Sequence, residues 1–234
     1  MGAASAKAIA TELRERLGRQ SQVRMIFAAA PSQAETLRRL REERRIDWDR
    51  VTAFHMDEYI GLPADAPQRF AHWLDAALFD HLPFTAVHRI VPEPDPAAAA
   101  KAYASHLADA PIDIVCLGIG VNGHIAFNDP PVADFQDPLD VKLVALDETC
   151  RQQQVDDQCF ARYDDVPERA LTLTIPRLLR ADRLFCIVPG STKLDAIRRT
   201  LYGPIAINCP ASILRQQAHC TLYLDAESDP DAER

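Results

Sequence analysis

The sequence predicts an α/β fold: one doubly wound, mostly parallel sheet with helices on both faces. Short apolar, β-rich segments alternate along the chain with segments of helical periodicity, as they do in repeated βα units. The strand-like segments are mostly apolar, which indicates strands that are buried on both faces. No repeat, linker or low-complexity segment divides the 234 residues, so we predict a single domain, residues 1–234.

Each element follows from its local pattern. Apolar spacing and capping residues predict helices over 8–17, 32–43, 68–82, 95–109 and 192–201. Ser32 followed by Glu35 has the pattern of a capping box at the start of the second helix. Runs rich in Val, Ile, Leu, Phe and Cys predict strands over 23–30, 50–56, 112–118, 141–146, 183–189 and 220–225.

Composition excludes several classes of partner. The formal net charge of -8 argues against nucleic acid as the main partner. Six cysteines show no C-x-x-C pair and no Cys/His spacing of the zinc type, which predicts reduced thiols and no metal. No signal peptide or membrane-length apolar window is present. We therefore expect a cytoplasmic protein without membrane partners.

Polar and glycine-rich segments follow four of the predicted strands. They read "APSQ", "MDEYIGL", "GIGVNGHIAFNDP" and "PGSTK". In an open, Rossmann-like parallel sheet, ligands bind at the carboxyl ends of the strands, where loops and helix N-termini converge. We expect the functional site at this edge.

Gly118, Gly120 and Gly123 spell G-x-G-x-x-G after a predicted strand. In a dinucleotide-binding protein the third glycine opens a helix that receives the pyrophosphate. Here "HIAFNDPP" follows, and its two prolines and β-branched residue do not carry a helix forward. The pattern therefore does not favour a nicotinamide cofactor.

The same loop carries a candidate acid–base unit. His124 transfers protons near neutral pH, and Asn122 and Asp129 stand close enough in sequence to orient its ring. For a lone histidine, a surface loop position is the simpler interpretation. The flanking glycines and the position at the sheet edge favour function.

Other candidates lie in the neighbouring loops. Asp57 and Glu58 are either solvated loop acids or carboxyls with a raised pKa, one of them a general base. Lys193, at the start of a helix, offers an ammonium to an anion beside the helix amides. Ser32 either contacts the same anion or only caps its own helix.

"MDEYIGLP" and "GHIAFNDP" resemble the two signature motifs of the glucosamine-6-phosphate deaminase/isomerase family, which is related to the 6-phosphogluconolactonases. The similarity runs from about residue 23 to 228 and includes "VPERALTLT" and "PGSTK". The resemblance implies conversion of an amino sugar phosphate to a ketose phosphate plus ammonia, with no cofactor. It implies catalytic roles for Asp57, Asn122, His124 and Asp129, and substrate contacts from Ser32, Glu58, Gly120, Gly123 and Lys193.

This chain departs from the family pattern at four places. Asn122 stands where the family has aspartate, which removes a charge beside His124, and Asp129 stands where it has glutamate. "AAAPSQ" lacks the glycines of the phosphate loop, and a lid arginine of the family falls near Gln158. The segment 147–165 is either a lid or a solvated surface helix.

These departures keep three functions open. They are a deaminating isomerase, a lactonase or other sugar-phosphate isomerase, and a non-catalytic sugar-phosphate sensor. Because the family contains monomers and hexamers, a homo-oligomer also stays open.

Overall fold

The computed structural model describes residues 1–232, so the last two residues of the predicted domain 1–234 lie outside the described residues. The strands are β1 (Val23–Phe27), β2 (Val51–His55), β3 (Asp57–Tyr59), β4 (Ala86–His88), β5 (Ile114–Leu117), β6 (Val141–Ala145), β7 (Arg169–Leu173), β8 (Arg183–Val188) and β9 (Cys220–Leu224). The α-helices are α1 (Gly2–Leu17), α2 (Ala34–Glu42), α3 (Phe70–Ala77), α4 (Pro96–Ala108), α5 (Glu148–Asp156), α6 (Ile175–Leu179) and α7 (Leu194–Tyr202).

The larger sheet is parallel throughout and has the order β4-β2-β1-β5-β8-β9. The strand order reverses between β1 and β5, where Met25 pairs with Ile114. This is the arrangement of a doubly wound sheet, whose ligand crevice opens at the point of reversal. The predicted fold class is confirmed.

The larger sheet is covered on both faces, as its apolar strands predict. Met25 and Phe27 of β1 lie in one buried cluster with residues of α1 and α2. Ile26 lies in a second cluster, with residues of α4, α6 and α7. Because successive side chains of a strand point to opposite faces, helices lie on both sides. None of the helices within residues 1–232 has the combined length and apolarity needed to cross a membrane.

A second, antiparallel sheet has the order β3-β7-β6. The segment 141–146, expected among the parallel strands, forms β6 in this sheet instead. β6 has one open face, with Leu143 45% exposed, so its apolar composition was misleading. The chain leaves the parallel sheet at Met56 and joins the second sheet with Asp57, the first residue of β3.

Two helix predictions are wrong in detail. The capping box does not form, because the 3-10 turn Pro31–Gln33 precedes α2 and moves Ser32 away from the N-cap position. Glu35 instead pairs with Arg38 and Arg39. The helix expected over 68–82 breaks after α3 and continues as a 3-10 turn, Phe79–His81.

Candidate active site

One cavity opens at the carboxyl ends of β1 and β5, where the strand order reverses. The space enclosed by its lining is about 550 Å³, which includes the solvent of its open mouth. It is lined by Ala28, Ala29, Ala30, Pro31, Ser32, Met56, Asp57, Phe70, Gly118, Ile119, Gly120, His124, Ala126, Phe127, Gln153, Gln154, Asp157 and Lys193. Most of the predicted site residues therefore meet at one cavity.

Asp57 enters the cavity from the junction of the two sheets. Its residue is 6% exposed, and within residues 1–232 its carboxyl group has no hydrogen-bond donor. Burial raises the pKa of Asp57 well above its usual value, and the negative charges of Glu58 and Asp129 raise it further. A carboxylate in such surroundings is strongly basic, as a general base for a C–H proton must be.

The backbone of Asp57 is in contact with the side chain of a buried histidine, His55. The Nδ1 atom of His55 lies 2.9 Å from the backbone oxygen of Asp57, and its Nε2 accepts a hydrogen bond from the N–H of Ile90 at 2.8 Å. Burial lowers the pKa of His55 to about 3. The neutral ring thus links β2 to the loop after β4 and fixes the start of β3.

His124 and Asp129 form a close pair on the opposite loop. His124 Nδ1 lies 2.8 Å from Asp129 Oδ1, although the carboxylate is poorly aligned with the ring N–H direction. Burial alone would raise the pKa of Asp129. The charge and contact of His124, with hydrogen bonds from Asn122 and the Asp147 N–H, instead hold the pKa of Asp129 below its usual value. Asp129 is therefore an ionised partner for the imidazole.

Asn122 organises this loop rather than leaving His124 without support. Its Oδ1 accepts from the backbone N–H of His124 at 3.0 Å. Its Nδ2 donates to Asp129 at 3.0 Å and to Asp147 at 3.3 Å. The charge that Asn122 lacks is not replaced, but Asp129 keeps one ionised carboxylate within contact distance of the ring.

Of the two glycines expected to contact the substrate, Gly120 lines the cavity and Gly123 does not. A Cβ atom at Gly120 would lie 2.1 Å from the ring of His124, so only glycine leaves room for that ring. Gly123 has a φ of 89° and is packed against Cys209. Gly123 therefore shapes the turn and lies outside the cavity lining.

Glu58 also lies outside the cavity, contrary to its expected contact with substrate. It is fully buried and accepts hydrogen bonds from the N–H groups of Tyr59, Phe70 and Ala71 at 2.9 to 3.1 Å. Burial raises the pKa of Glu58, and these bonds oppose the rise. A carboxylate at the first turn of α3 stabilises that helix. Glu58 was expected at the substrate because it is next to Asp57 in sequence. Neighbouring side chains of a strand point to opposite faces, however, so only one of the two reaches the cavity.

Lys193 and Ser32 both line the cavity. Lys193 is 4% exposed, makes no ion pair with a described residue, and is the only lysine or arginine of the described lining. Burial lowers the pKa of Lys193, and the charge of Asp157 opposes this change. Ser32 accepts a hydrogen bond from Gln33 at 3.2 Å, and the same amide donates to Ile187.

Sequence reasoning missed three polar residues of the cavity, all in the segment 147–165. Gln153 accepts from the N–H of Val121 at 2.9 Å and donates to Asp157 at 3.0 Å. Gln154 accepts from the hydroxyl of Tyr59 at 2.8 Å. The Gln- and Asp-rich composition of the segment was the available signal. Gln158, by contrast, lies on a neighbouring surface pocket.

The protein thus has an α/β fold with a buried carboxyl group and a histidine on one cavity, and the histidine is paired with Asp129. This is the arrangement of residues found in sites of proton transfer. The sequence of the protein matches the family described as "Glucosamine-6-phosphate isomerases/6-phosphogluconolactonase" over residues 1–223. The chain belongs to this family.

Curated relatives and solved structures agree with this assignment. A glucosamine-6-phosphate deaminase of Listeria innocua is 34% identical over 222 residues, which cover 94% of this chain and 92% of the relative. One of Bacillus cereus is 35% identical over 187 residues, 79% and 69% of the two chains. A solved monomeric glucosamine-6-phosphate deaminase superposes with a TM-score of 0.87 at 28% identity, over 97% of this chain and 93% of the other.

A solved 6-phosphogluconolactonase has the same fold. A 6-phosphogluconolactonase of Thermotoga maritima superposes with a TM-score of 0.75 at 19% identity, over 94% of this chain and 92% of the other.

Proposed function

We propose that the protein converts a hexosamine 6-phosphate and water to a ketose 6-phosphate and ammonia. The observation that supports this most is that Asp57, His124 and Lys193 line a single cavity. The family and the names of its curated relatives at 34–35% identity support the same reaction. We also expect it to act in the cytoplasm.

The first step is the opening of the sugar ring. His124 moves the proton of the anomeric hydroxyl to the ring oxygen, which breaks the bond between C1 and that oxygen and leaves an aldehyde at C1. Asp129, ionised and 2.8 Å from the ring, stabilises the imidazolium that exists while the proton is in transit.

The second step is a proton shift along the opened chain. Asp57 takes the proton from C2 while the ammonium group on C2 passes one of its protons to O1, which gives an enolamine. Asp57 then returns its proton to C1. The resulting imine at C2 adds water and releases ammonia, so that a ketone remains. The raised pKa of Asp57 suits this step because it brings the basicity of the carboxylate closer to that of the carbon acid.

The remaining contacts bind the sugar phosphate. The ammonium of Lys193 pairs with the phosphate beside Ser32. We propose that the segment 147–165 acts as a lid, since Gln153, Gln154 and Asp157 face the cavity from it. A closed lid excludes water during ring opening and proton transfer.

Ammonia release from purified protein tests this function. Glucosamine 6-phosphate, galactosamine 6-phosphate and mannosamine 6-phosphate are supplied in turn, and ammonia is measured by a coupled assay. Release from at least one, lost in His124→Gln, is the expected result. No release from any of the three contradicts the proposal, and hydrolysis of 6-phosphogluconolactone above its spontaneous rate would identify a lactonase.

The sensor hypothesis loses its main reason. It rested on Asn122 depriving His124 of a nearby charge, and the contact with Asp129 shows that His124 still has one carboxylate beside it. Ligand-induced thermal stabilisation without any turnover would restore it.

A further inference from the structure

Three different metal-binding atoms lie close together at the cavity, which His124 lines. A ring nitrogen of His124, a carboxylate oxygen of Asp129 and the Sγ atom of Cys150 lie within 4.8 Å of one another. His124 is 9% exposed, and the other two residues are fully buried. Cys150 belongs to α5 and takes no part in the proposed reaction. We call these three residues the thiol trio.

The ring nitrogen of the trio is incompletely satisfied. Nδ1 of His124 is buried, and no described residue completes a well-aligned hydrogen bond to it, although Asp129 Oδ1 lies 2.8 Å away. A ring nitrogen, a carboxylate oxygen and a sulfur atom thus lie around a common point, with Asp129 already oriented by hydrogen bonds from Asn122 and the N–H of Asp147. Buried polar atoms in native proteins normally have well-aligned partners, so the misaligned contact of Nδ1 with Asp129 leaves this nitrogen able to bind a ligand shared by the cluster.

We propose that the thiol trio binds Zn²⁺ and that bound Zn²⁺ inhibits the enzyme. Imidazole, carboxylate and thiolate are the ligands of this borderline-soft ion, and three of them leave a fourth tetrahedral position for water or substrate. The hard cation Mg²⁺ instead requires oxygen ligands in an octahedron. The trio therefore selects Zn²⁺ over Mg²⁺.

Binding of Zn²⁺ requires only small movements of the three side chains. It involves no change of oxidation state. Ligand atoms of a tetrahedral zinc site lie roughly 3.3–3.8 Å apart, given bonds of about 2.0–2.3 Å. The contact between His124 and Asp129 must therefore open by less than about 1 Å. The thiol of Cys150 loses its proton to solvent, and neutral His124 uses its lone pair. Metal binding thus releases protons.

Inhibition follows from the two shared residues and rests on the proposed function. His124 bound to Zn²⁺ through Nδ1 cannot become the imidazolium that ring opening needs. Asp129 would then neutralise the metal rather than the ring. Zn²⁺ and the substrate reaction therefore compete for the same pair of side chains.

Cobalt absorption tests the site without any activity measurement. Co²⁺ substitutes for Zn²⁺ and gives an intense near-ultraviolet band only when a thiolate is a ligand. We expect this band in the wild type and in Cys159→Ser, and its loss in Cys150→Ser and Cys150→Ala. Cys159 is the matched control because it lies nine residues further along the same segment and outside the trio. Addition of Zn²⁺ should displace Co²⁺ and remove the band, and addition of Mg²⁺ should not.

Several outcomes would overturn the proposal. They are no band in the wild type, a band that survives in both Cys150 variants when each unfolds at the wild-type temperature, or a band that Cys159→Ser removes. Zn²⁺ should also inhibit ammonia release, and the fold-reduction should be at least ten times larger for the wild type than for Cys150→Ser. Addition of EDTA should reverse this inhibition. A chain with the cobalt band that releases no ammonia keeps the metal site and contradicts the proposed function instead.

Discussion

Asn122 Nδ2 bridges two carboxylates, donating to Asp129 Oδ1 at 3.0 Å and to Asp147 Oδ2 at 3.3 Å. An aspartate here, as in the family pattern, would place a third carboxylate between them. We expect Asn122→Asp to lower both ammonia release and the free energy of unfolding, the latter by about 1–3 kcal/mol, because two donors are lost and like charges meet.

Urea unfolding at pH 7.5 and at pH 4 measures this effect. The loss of stability should be smaller at the lower pH, because the introduced carboxyl group, placed between two carboxylates, takes up a proton there. Asn208→Asp, at an exposed position, is the control and should behave as wild type. A more active Asn122→Asp protein would mean that His124 does lack charge support.

The sequence predicted the cavity better than it predicted the roles of its residues. Parallel strands bring their carboxyl ends to one edge, so Ser32, Asp57, His124 and Lys193 could be grouped from strand assignments alone. The sequence could not show which of the neighbours Asp57 and Glu58 faces the cavity. The pairing of β3 with β7 decides which face of the strand each side chain occupies. That pairing is long-range and leaves no local signal.

The contacts of 147–165 show the same limit. Its composition indicated either a lid or a surface helix, and nothing local distinguishes Gln153 and Gln154, which are buried, from Gln152, which is exposed. Their burial depends on Val121 and Tyr59, which lie 32 and 95 residues away. Tertiary packing of this kind decides which polar residues of a helix reach a site.

Asp57 is expected to cost stability while it serves catalysis. Its pKa is raised well above the usual value, first by burial and then by neighbouring charges, so the folded state holds a proton that the unfolded chain releases. Its contribution to stability is therefore lost as the pH rises from the usual carboxyl range toward the raised pKa. Asp57→Asn removes this penalty.

Thermal and urea unfolding at pH 7.5 check this prediction. Asp57→Asn should be more stable by roughly 0.5–2 kcal/mol and should lose ammonia release by at least about 10²-fold. Asp65→Asn, which changes an exposed acid in the loop after β3, should alter neither quantity. An Asp57→Asn protein that is less stable and fully active would show that the carboxylate is a structural anion.

Lys193→Gln should weaken binding of the phosphate. Lys193 is the only lysine or arginine of the described cavity lining, and a hydrogen bond to a charged group is worth about 1.5–3 kcal/mol. We expect KM for a hexosamine 6-phosphate to rise about 10- to 100-fold with a smaller change in kcat. Steady-state kinetics measure this, with Lys101→Gln as the exposed control. An unchanged KM would mean that the phosphate binds elsewhere.

His55 should make the fold sensitive to acid. Burial lowers its pKa to about 3 in the folded state, whereas an unfolded histidine has a pKa near 6.5. Between these values the unfolded chain binds a proton that the folded chain does not. The stabilising contribution of neutral His55 is thus complete above about pH 6.5 and is lost as the pH falls toward 3.

Unfolding free energies measured from pH 7 to pH 4 separate this effect from the titration of carboxylates. The decline with falling pH should be shallower in His55→Gln than in wild type, although His55→Gln is less stable at pH 7. His81→Gln, at an exposed position, should show the wild-type slope. Equal slopes in all three proteins would contradict a buried neutral ring.

Asp157 is an acid in the same cavity as Lys193, the residue to which we assign the phosphate. It faces the same space as Lys193 and raises the pKa of that ammonium against the lowering by burial. A carboxylate there attracts Lys193 and repels a phosphate dianion. At an effective dielectric constant near that of a protein surface, one such repulsion costs on the order of 1 kcal/mol after solvent screening.

Asp157→Asn should therefore lower KM for a hexosamine 6-phosphate by roughly fivefold, the equivalent of about 1 kcal/mol. An asparagine oxygen can still accept the hydrogen bond from Gln153, which is 3.0 Å long in the wild type. KM for an unphosphorylated hexosamine should not fall, because that ligand carries no negative charge to be repelled. Asp156→Asn is the matched control, since Asp156 accepts from Gln152 and lines a different surface. If Asp156→Asn and Asp157→Asn lower KM equally, the effect is one of net charge; if Asp157→Asn raises KM, Asp157 binds the substrate directly.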